Sequence, residues 1–484
     1  MTPFLPRNTP ESQGVSSRAI LDLLEDAQRK NIELHSLMIL RHGTVIAEGW
    51  WKPYAPDHLH ILFSLSKSFT SSAIGFAVIE GLLTEDDTVV SFFPDDLPLE
   101  VSPNLARMRV RDLLSMSSGH AEDTLGPQIW ATAGNWIRTI LAQPVPFEPG
   151  THFVYNTGAT FMLSAIIQKI TGQNLLAYLE PRLLQPLGID GATWESNPDG
   201  IAFGGFGMNA RTEDIAKFGQ LYLQKGVWNG RQILPESWID RATRSQIDNA
   251  DHSSDSGLGN DWGVGYGYQF WRCRHGAYRG DGAFGQYCVV MPEQDAVIVM
   301  TAGMADMAAG LNLVWDHLLP NMHAATLEEN LVDQAELAAA LASLEMPVAK
   351  NSASPNVNFE QEFMVAENPY GLEKFGFQKT TDGLQLIIRD ALGTHHLECW
   401  FETWCSNETR FDPVTTFGHD LPRKVAGNAA WLEPDLLEVR LCYFETSFSH
   451  TSRFRFSGET LQIESNANVR FGPTRDEPMT ARTR

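Results

Sequence analysis

The chain contains 484 residues, of which 43% are hydrophobic and 20% are charged. This composition is ordinary for a folded protein with a large core, and at about 100–200 residues per domain it predicts two to four domains, or one large α/β body with an appendage. The formal net charge of −23 argues against nucleic acid or an anionic membrane surface as a partner. No apolar run reaches the roughly 18 residues that a membrane-spanning helix needs.

Cysteine usage and the N-terminus bear on the cell compartment. Five cysteines occur, an odd number at low density, and none forms a CxxC pair. We therefore expect reduced, mainly structural thiols. The first residues, MTPFLPRNTPESQG, lack the basic and apolar segments of a secretory signal, so the sequence predicts a cytoplasmic location.

The first predicted elements are a helix and a pair of strands. Residues 17–30 have the apolar spacing of an amphipathic helix, and Ser16 or Ser17 can cap it. The stretch LMILRHGTVIAEGWW (residues 37–51) predicts two short strands joined by a turn. The fragment ILFSLSKSFTSSAIGFAV (residues 61–78) follows and has the composition of a buried helix.

The middle of the chain is predicted to be mainly helical. Residues 83–230 show helical spacing in several segments, separated by long connections. Strands return in GQYCVVMPEQDAVIVMTAG (residues 285–303), where two apolar runs flank a PEQD turn, and a helix is expected at about residues 306–319. We therefore predict an α/β protein in which one antiparallel sheet, made from both ends of this region, is flanked by helices beside a separate helical lobe.

The last part of the chain has a different pattern. Residues 327–344 predict a helix rich in alanine and leucine, and the following PVAKNSASPNVNFEQ has the composition of a linker. Beyond about residue 358 the apolar period changes to two, which predicts an all-β domain of about 125 residues, either a barrel or a sandwich. The expected division is therefore residues 1–325, 326–357 and 358–484.

Ser64 and Lys67 form an SxxK motif at the start of the second predicted helix. On a helix this spacing puts the amine beside the hydroxyl, and a lysine with a lowered pKa can take the proton of a serine nucleophile. The tetrapeptide alone favours a capping serine followed by a solvated lysine. The small and apolar residues around Lys67 favour close packing instead, which is what a catalytic lysine needs.

A second motif is the turn that holds Tyr155 and Thr157. The stretch FVYNTGATFML places both residues just before a predicted helix. A tyrosine near a lysine can share or relay a proton, because the cation stabilises the phenolate. The alternative is a core tyrosine followed by a helix-capping asparagine or threonine.

A third motif is the glycine-rich stretch YRGDGAFGQY (residues 278–287). Gly280, Gly282 and Gly285 leave the edge of a strand bare, so a substrate backbone can approach it. Such an edge can donate a backbone N–H to an oxyanion. The alternative is a bulge or tight packing.

These three motifs, in this order, resemble the serine β-lactamase and penicillin-binding-protein superfamily, and in particular the class C β-lactamase-like serine hydrolases. That group includes esterases, amidases and peptidases. The stretches VRDLLSMSSGH, GGFGMNARTEDIAKFGQLYLQKGVWNGRQILPESW and GQYCVVMPEQDAVIVMTAG are also similar to it. The resemblance covers about residues 10–322 and leaves out the β-rich tail.

The resemblance implies a role for each matching residue. Ser64 would be the acylated nucleophile, Lys67 its general base, and Tyr155 a base and proton donor. The N–H groups of Ser64 and Ala283 would form the oxyanion hole. The remaining residues expected at the substrate site are Thr157, Gly280, Asp281 and Gly282. No cofactor and no metal is implied.

Two departures from the family pattern bear on the substrate. Thr157 stands where the lactamases usually have an asparagine, and Gly280-Asp281-Gly282 stands where the family has Lys-Thr-Gly or His-x-Gly. The lysine that would bind a substrate carboxylate is absent, and Arg279 could replace it only if it points inward. We therefore expect poor β-lactamase activity and a neutral or cationic ester or amide substrate, either a small molecule or a short peptide.

Other functions stay open at this point. They are a peptidase acting on D-amino-acid peptides, a β-lactamase, and a penicillin-binding-like protein that binds without turnover. The sequence has no GxSxG motif, which disfavours an α/β-hydrolase. Histidines such as His58 and His60 lack a zinc-like partner set, and no oligomeric state follows from the sequence.

Overall fold

The computed structural model describes residues 5–126, 129, 134–251, 260–413 and 422–483. Its first helix, α1 (Ser17–Arg29), begins where the sequence predicts it. The Ser16 hydroxyl caps this helix by accepting a hydrogen bond from the Ala19 N–H at 3.1 Å. The five cysteines are unpaired, as the sequence predicts.

The central sheet contains strands from both ends of the first 325 residues. In chain order, the strands of this region are β1 (Leu34–Arg41), β2 (Thr44–Trp50), β3 (His60–Ile61), β4 (Thr193–Trp194), β5 (Met208–Ala210), β6 (Val227–Trp228), β7 (Arg231–Gln232), β8 (Trp271–Arg272), β9 (Tyr278–Gly282), β10 (Gln286–Met291) and β11 (Ala296–Ala302). Within the described ranges, six of them form the sheet in the order β2–β1–β11–β10–β9–β8. All neighbours are antiparallel, which confirms the predicted sheet.

The remaining strands of this region form two small sheets, and helices make up most of the regular secondary structure in the middle of the chain. The further α-helices are α2 (Ser66–Ile79), α3 (Val89–Phe92), α4 (Pro103–Arg107), α5 (Val110–Leu114), α6 (Trp136–Leu141), α7 (Thr157–Thr171), α8 (Leu175–Leu179), α9 (Gln185–Leu187), α10 (Thr212–Leu223), α11 (Glu236–Thr243), α12 (Met307–Leu313) and α13 (Leu331–Ala342). Short 3-10 turns lie at Glu11–Gln13, Phe63–Leu65, Pro94–Asp96, Asn260–Trp262, Pro292–Gln294 and Leu319–Asn321, and π-helical turns at Glu180–Leu184 and Val314–Leu318. Over the part of the chain that the structure describes, none of the helices combines the length and apolar character that crossing a bilayer requires.

Helices cover both faces of the central sheet. In β1, Met38 and Leu40 belong to one core cluster, whereas Leu37 and Ile39 belong to the other. The first cluster includes residues of α2, α7 and α10, and the second includes residues of α1 and α12. Because both faces are covered, every residue of β1 is buried, and its centre, residues 37–40, is a continuous apolar run.

The C-terminal strands close into a barrel. They are β12 (Glu362–Val365), β13 (Lys374–Lys379), β14 (Gly383–Asp390), β15 (Gly393–Phe401), β16 (Cys405–Thr409), β17 (Arg423–Glu433), β18 (Leu436–Cys442), β19 (Ser449–Ser457), β20 (Thr460–Ala467) and β21 (Met479–Thr483). A parallel pairing of β15 with β17 joins the two ends of the sheet. The predicted all-β domain is therefore a barrel rather than a sandwich.

The barrel packs directly against the first region. The Ile61 N–H donates a hydrogen bond to the Glu445 carbonyl at 2.9 Å. The Asn468 amide donates to Glu33 Oε1 at 2.6 Å. Ile61 stands three residues before Ser64, so the barrel contacts the segment that carries the predicted nucleophile.

Candidate active site

Ser64 lies in the 3-10 turn Phe63–Leu65, immediately before α2. The sequence suggested a single helix from Ile61, but the α-helix begins only at Ser66, because Phe63 has a φ of 45° that a right-handed helix does not allow. Ser64 is half-buried, so its hydroxyl is within reach of a substrate. The predicted spacing of Ser64 and Lys67 nevertheless brings the two side chains together.

Lys67 is a buried lysine that contacts the Ser64 hydroxyl. Its Nζ lies 3.0 Å from Ser64 Oγ, and it donates a hydrogen bond to the Gly205 carbonyl at 2.8 Å. Burial lowers the pKa of Lys67 to about 7, against the opposing charges of Asp123 and Asp281. At neutral pH a large fraction of this amine is therefore uncharged and can accept a proton.

Gly205 is a part of the site that the sequence analysis did not single out. Its carbonyl orients the Lys67 amine, and a Cβ at this position would lie 2.7 Å from Thr157 Cγ2 and 3.4 Å from Lys67 Nζ. Only glycine fits so closely against these two side chains. The paired glycines of the FGGFG stretch were the available signal, since such pairs often mark a close backbone approach.

Tyr155 lies next to Lys67. The Lys67 Nζ is 4.8 Å from the centre of the tyrosine ring, and the Tyr155 ring stacks on Trp271 at 5.2 Å. Burial raises the pKa of Tyr155 above its usual value, while hydrogen bonds with Ser64 and Trp271 act in the opposite direction. The phenol is therefore protonated at neutral pH and is placed to donate a proton.

The residues after Tyr155 hold this turn in place. Asn156 is fully buried, caps α7 through the Ala159 N–H at 3.2 Å, and accepts a hydrogen bond from the Thr124 N–H at 3.0 Å. Thr157 is the first residue of α7, and its methyl group lies against Gly205. The turn therefore connects Tyr155 to the loop that contains Asp123 and Thr124.

The glycines of β9 allow this strand to approach the turn that contains Ser64. A Cβ at Gly282 would lie 2.1 Å from the Leu62 carbonyl oxygen, and one at Gly280 would lie 3.0 Å from Ser68 Oγ. The absence of side chains here is therefore a packing requirement, and β9 is buried along its whole length instead of leaving the predicted bare edge. Ala283 directly follows this contact, so its backbone lies near the start of α2.

Arg279 and Asp281 pair with each other. The Arg279 Nε donates to Asp281 Oδ2 at 2.8 Å, and both residues are buried. Arg279 also lies over the Trp262 ring, with its guanidinium carbon 4.4 Å from the ring centre. Burial raises the pKa of the Asp281 carboxyl, and the Arg279 charge opposes that change. Arg279 therefore does not replace the missing substrate-binding lysine, and the charge of Asp281 is already compensated.

Asp123 presents an exposed negative charge beside the site, whereas Asp281, which the sequence analysis expected at the substrate site, is buried. The Asp123 side chain is solvent-exposed, and its charge acts on both Lys67 and Tyr155. One oxygen accepts hydrogen bonds from the N–H groups of Leu125 at 3.0 Å and Gly158 at 3.2 Å, which fixes the carboxylate beside the site. No spacing in the sequence indicated that this loop would lie beside Lys67.

His120 and the other coordinating side chains of the described residues do not form a metal site. His120 is buried, with Nδ1 2.9 Å from Ser118 Oγ, and burial lowers its pKa to about 4, so it is neutral at pH 7. Over the described residues, no group of three or more His, Cys, Asp or Glu side chains is arranged to hold a metal ion.

Replacement of Gly282 by alanine is expected to impair both folding and catalysis. The added methyl would overlap the Leu62 carbonyl and push the turn that carries Ser64 away from β9, at a cost of about 1–3 kcal/mol in the free energy of unfolding. Ester turnover should fall by about tenfold or more, because a displacement of about 1 Å at a reacting group has effects of that size or larger. The measurements are the melting temperature and kcat.

The matched control is Gly376→Ala in the barrel. An added Cβ there would have its nearest neighbour, Ile387 Cβ, at 3.4 Å, which is an ordinary contact. This variant should keep the activity of the unmodified protein. Equal activity and stability of the Gly282→Ala protein would show that the contact between β9 and the Ser64 turn is not tight.

Comparison with known proteins shows the family to which the chain belongs. The model of the beta-lactamase family matches residues 22–313. A 6-aminohexanoate-dimer hydrolase of Paenarthrobacter ureafaciens is 25% identical over 318 residues, 62% of this chain and 80% of the relative. Esterase EstB of Burkholderia gladioli is 25% identical over 175 residues, 31% of this chain and 44% of the esterase. The solved structure of EstCE1, a hydrolase with promiscuous acyltransferase activity, has a TM-score of 0.51 and 18% identity over 62% of this chain and 98% of its own.

The fold, together with these relatives, defines a serine hydrolase. The chain belongs to the beta-lactamase family, whose model covers more than half of its length. The matched segment ends before α13 and the barrel, so the C-terminal strands lie outside the family region.

Proposed function

We propose that the protein hydrolyses an ester or amide through an acyl-enzyme formed on Ser64. Lys67 is the general base and Tyr155 the proton donor. The observation that carries the proposal is the buried Lys67 amine, which lies 3.0 Å from Ser64 Oγ and has its pKa lowered to about 7. A lysine in this state can accept the serine proton at neutral pH.

The proposed reaction has two halves. In the first, Ser64 Oγ attacks the substrate carbonyl carbon while Lys67 takes the hydroxyl proton. The tetrahedral intermediate then collapses, the bond to the leaving alcohol or amine breaks, and Tyr155 passes a proton to that group and is reprotonated by Lys67. In the second half, water attacks the acyl carbon and gives a proton to the same pair. The bond to Ser64 Oγ then breaks, the pair returns the proton to Oγ, and the acid leaves.

The oxyanion is proposed to bind to the backbone N–H groups of Ser64 and Ala283. Ser64 lies at the N-terminal end of α2, a helix of 14 residues whose dipole favours negative charge there. Ala283 follows the glycines that let β9 approach this turn. Thr157, Gly280, Asp281 and Gly282 are proposed to line the substrate site through their backbone or through packing.

The substrate is proposed to be a neutral or cationic ester or amide, either a small molecule or a short peptide. Position 280 carries no lysine for a substrate carboxylate, and Asp123 presents a negative charge beside Lys67. The matched relatives are named for the hydrolysis of a 6-aminohexanoate dimer and for esterase activity. β-Lactam turnover is therefore expected to be weak, because these drugs carry a carboxylate.

The test combines a covalent probe with a substrate panel. A fluorophosphonate should add to Ser64, as located by peptide mass spectrometry, and p-nitrophenyl acetate and butyrate should be hydrolysed. An amine-bearing amide should be turned over faster than its N-acetylated form, because only the free amine is attracted by Asp123. Absence of both an adduct and turnover would favour a binding protein without catalysis. Rapid penicillin turnover would contradict the proposed substrate class.

A peptidase acting on D-amino-acid peptides is the second candidate. The exposed Asp123 carboxylate near Lys67 favours it, since a free peptide amine could pair with this charge. A panel of D- and L-aminoacyl amides separates this activity from that of a simple esterase. Preference for the D-series would support the peptidase.

The proposal also includes the organisation and location of the chain. We propose a hydrolase domain over residues 1–325, a connecting segment over 326–357 and a barrel domain over 358–484. α13 in the connecting segment packs against α1, and the first barrel strand begins at Glu362. A cytoplasmic location is proposed on the basis of the unpaired cysteines.

A further inference from the structure

Two phenylalanines with left-handed backbone geometry lie next to the proposed oxyanion donors. Phe63, which precedes Ser64, has a φ of 45°, and Phe284, which follows Ala283, has a φ of 64°. A bulky side chain disfavours this region, so such a residue persists only where its surroundings hold it. Both residues therefore need outside support for a conformation that sets the direction of the neighbouring N–H groups.

The support comes from the barrel. The Phe63 ring lies 5.5 Å from the Phe284 ring, and both contact Phe448 and Phe471 in edge-to-face or tilted arrangements. Phe448 is 5.7 Å from Phe284, and Phe471 is 4.8 Å from it. We call these four residues the phenylalanine cluster. Two of its members flank the proposed oxyanion hole, and the other two belong to the barrel.

Backbone and side-chain hydrogen bonds reinforce the same contact. The loop between β18 and β19 contains Glu445, whose carbonyl accepts from the Ile61 N–H at 2.9 Å. The same loop contains Ser447, whose hydroxyl accepts from Gln286 Nε2 at 2.8 Å. Gln286 Nε2 also donates to the Ala283 carbonyl at 2.9 Å. One barrel loop therefore contacts both of the segments that carry an oxyanion donor.

Phe471 is unusual among the barrel phenylalanines. Its side chain is 61% exposed, so it contributes little to the barrel core. The rings within contact distance include Phe284 and Phe63 of the first region. Its packing partners therefore point to a role at the hydrolase site and not in the stability of the barrel.

We propose that Phe448 and Phe471 are positioning residues for the oxyanion hole, so that the barrel completes the active site of the first region. The two barrel rings hold Phe63 and Phe284 in their strained conformations. Those backbone conformations direct the N–H groups of Ser64 and Ala283 toward the position of the oxyanion. Removal of the barrel rings lets either backbone relax, which weakens stabilisation of the oxyanion without changing the nucleophile. This inference rests on the proposed function.

The test compares Phe448→Leu and Phe471→Ala with a control in the same barrel. Phe375→Leu is matched to Phe448→Leu, because both side chains are 4% exposed in the barrel core, but Phe375 packs on Phe454 and not on the cluster. We expect both cluster variants to lower kcat for p-nitrophenyl acetate by about 10- to 100-fold. This decrease is smaller than the one caused by removal of a whole oxyanion donor. KM should change by less than about threefold, since the interaction acts mainly on the transition state.

An arylboronic acid provides a second readout that does not depend on turnover. Boron bound to Ser64 is tetrahedral and places an oxygen where the oxyanion forms, so its inhibition constant should rise by about the same factor as kcat falls. Phe471→Tyr should keep the kcat and the inhibition constant of the unmodified protein, because the exposed ring edge leaves room for a hydroxyl. Phe375→Leu should lower the melting temperature and leave both values unchanged.

The outcomes separate the two proposals. Failure of the unmodified protein to form a fluorophosphonate adduct on Ser64 would contradict the proposed function, and this inference with it. An adduct and normal turnover, with cluster variants that keep the boronate affinity and kcat of the unmodified protein, would overturn only the inference. The inference would also be overturned if Phe375→Leu lost as much kcat and boronate affinity as the cluster variants for the same fall in melting temperature.

Discussion

Replacement of Ser64 by alanine should lower kcat for ester hydrolysis by about ten-thousand-fold or more. The variant keeps the fold and the proposed oxyanion donors, but it cannot form the acyl-enzyme. Loss of a serine nucleophile in a comparable catalytic group has effects of this size, and the remaining rate comes from binding and oxyanion stabilisation alone. The measurement is a steady-state assay, accompanied by mass spectrometry after reaction with a fluorophosphonate.

Helix α2 offers a matched control for this variant. Among the described residues, the buried Ser71 hydroxyl has no hydrogen-bond partner, so Ser71→Ala removes a serine hydroxyl from the helix that follows Ser64 without breaking a bond. This variant should keep full activity and equal or slightly higher stability. If Ser64→Ala retains the activity of Ser71→Ala, another residue is the nucleophile.

Replacement of Lys67 by methionine should lower kcat/KM at pH 7 by about a thousand-fold and remove a pH dependence. The active form of Lys67 is uncharged, and its pKa is lowered to about 7. For the unmodified protein, kcat/KM should therefore rise about tenfold per pH unit below 7 and level off above it. The methionine variant has no group to titrate at this position, so its remaining activity should lack the step near pH 7.

Stability provides a separate check on the same variant. Lys67 has a pKa of about 10 in the unfolded chain, and folding lowers this pKa to about 7. Between about pH 7 and pH 10 the unfolded state binds more protons than the folded state. The contribution of Lys67 to the free energy of unfolding therefore increases as the pH rises, and it is unfavourable at pH 7. The methionine variant should therefore melt at the same or a higher temperature than the unmodified protein at pH 7. A lower melting temperature together with an unchanged pH profile would contradict a buried catalytic lysine.

Much of the fold could be predicted because it depends on local patterns. The apolar runs on either side of the PEQD turn form β10 and β11, and the serine before α1 caps it. The change to period two near residue 358 marks the start of the barrel. Ser64 and Lys67 were brought together by their spacing, which a helical turn converts into contact.

The remaining features depend on contacts between distant segments. The sequence contains an arginine two residues before Asp281, but only the packing around Trp262 shows that the two charges pair with each other. Asp123 lies beside Lys67 because Asn156 binds the loop that carries it, and no periodicity reports such a contact. The left-handed geometry of Phe63 also has no signal in the sequence, since phenylalanine rarely adopts it.

The pairing of β1 with β11 has a consequence for synthesis of the chain. Met38 lies opposite Val299 in the sheet, so the first strand pairs only with β2 until nearly all of the hydrolase region has left the ribosome. We therefore expect the nascent chain to carry Ser64 beside a hydrated, charged Lys67 for most of translation. In that state the serine is an ordinary alcohol. We expect reactivity only when the two ends of the region meet, so that acylation of Ser64 has to wait for the folded protein.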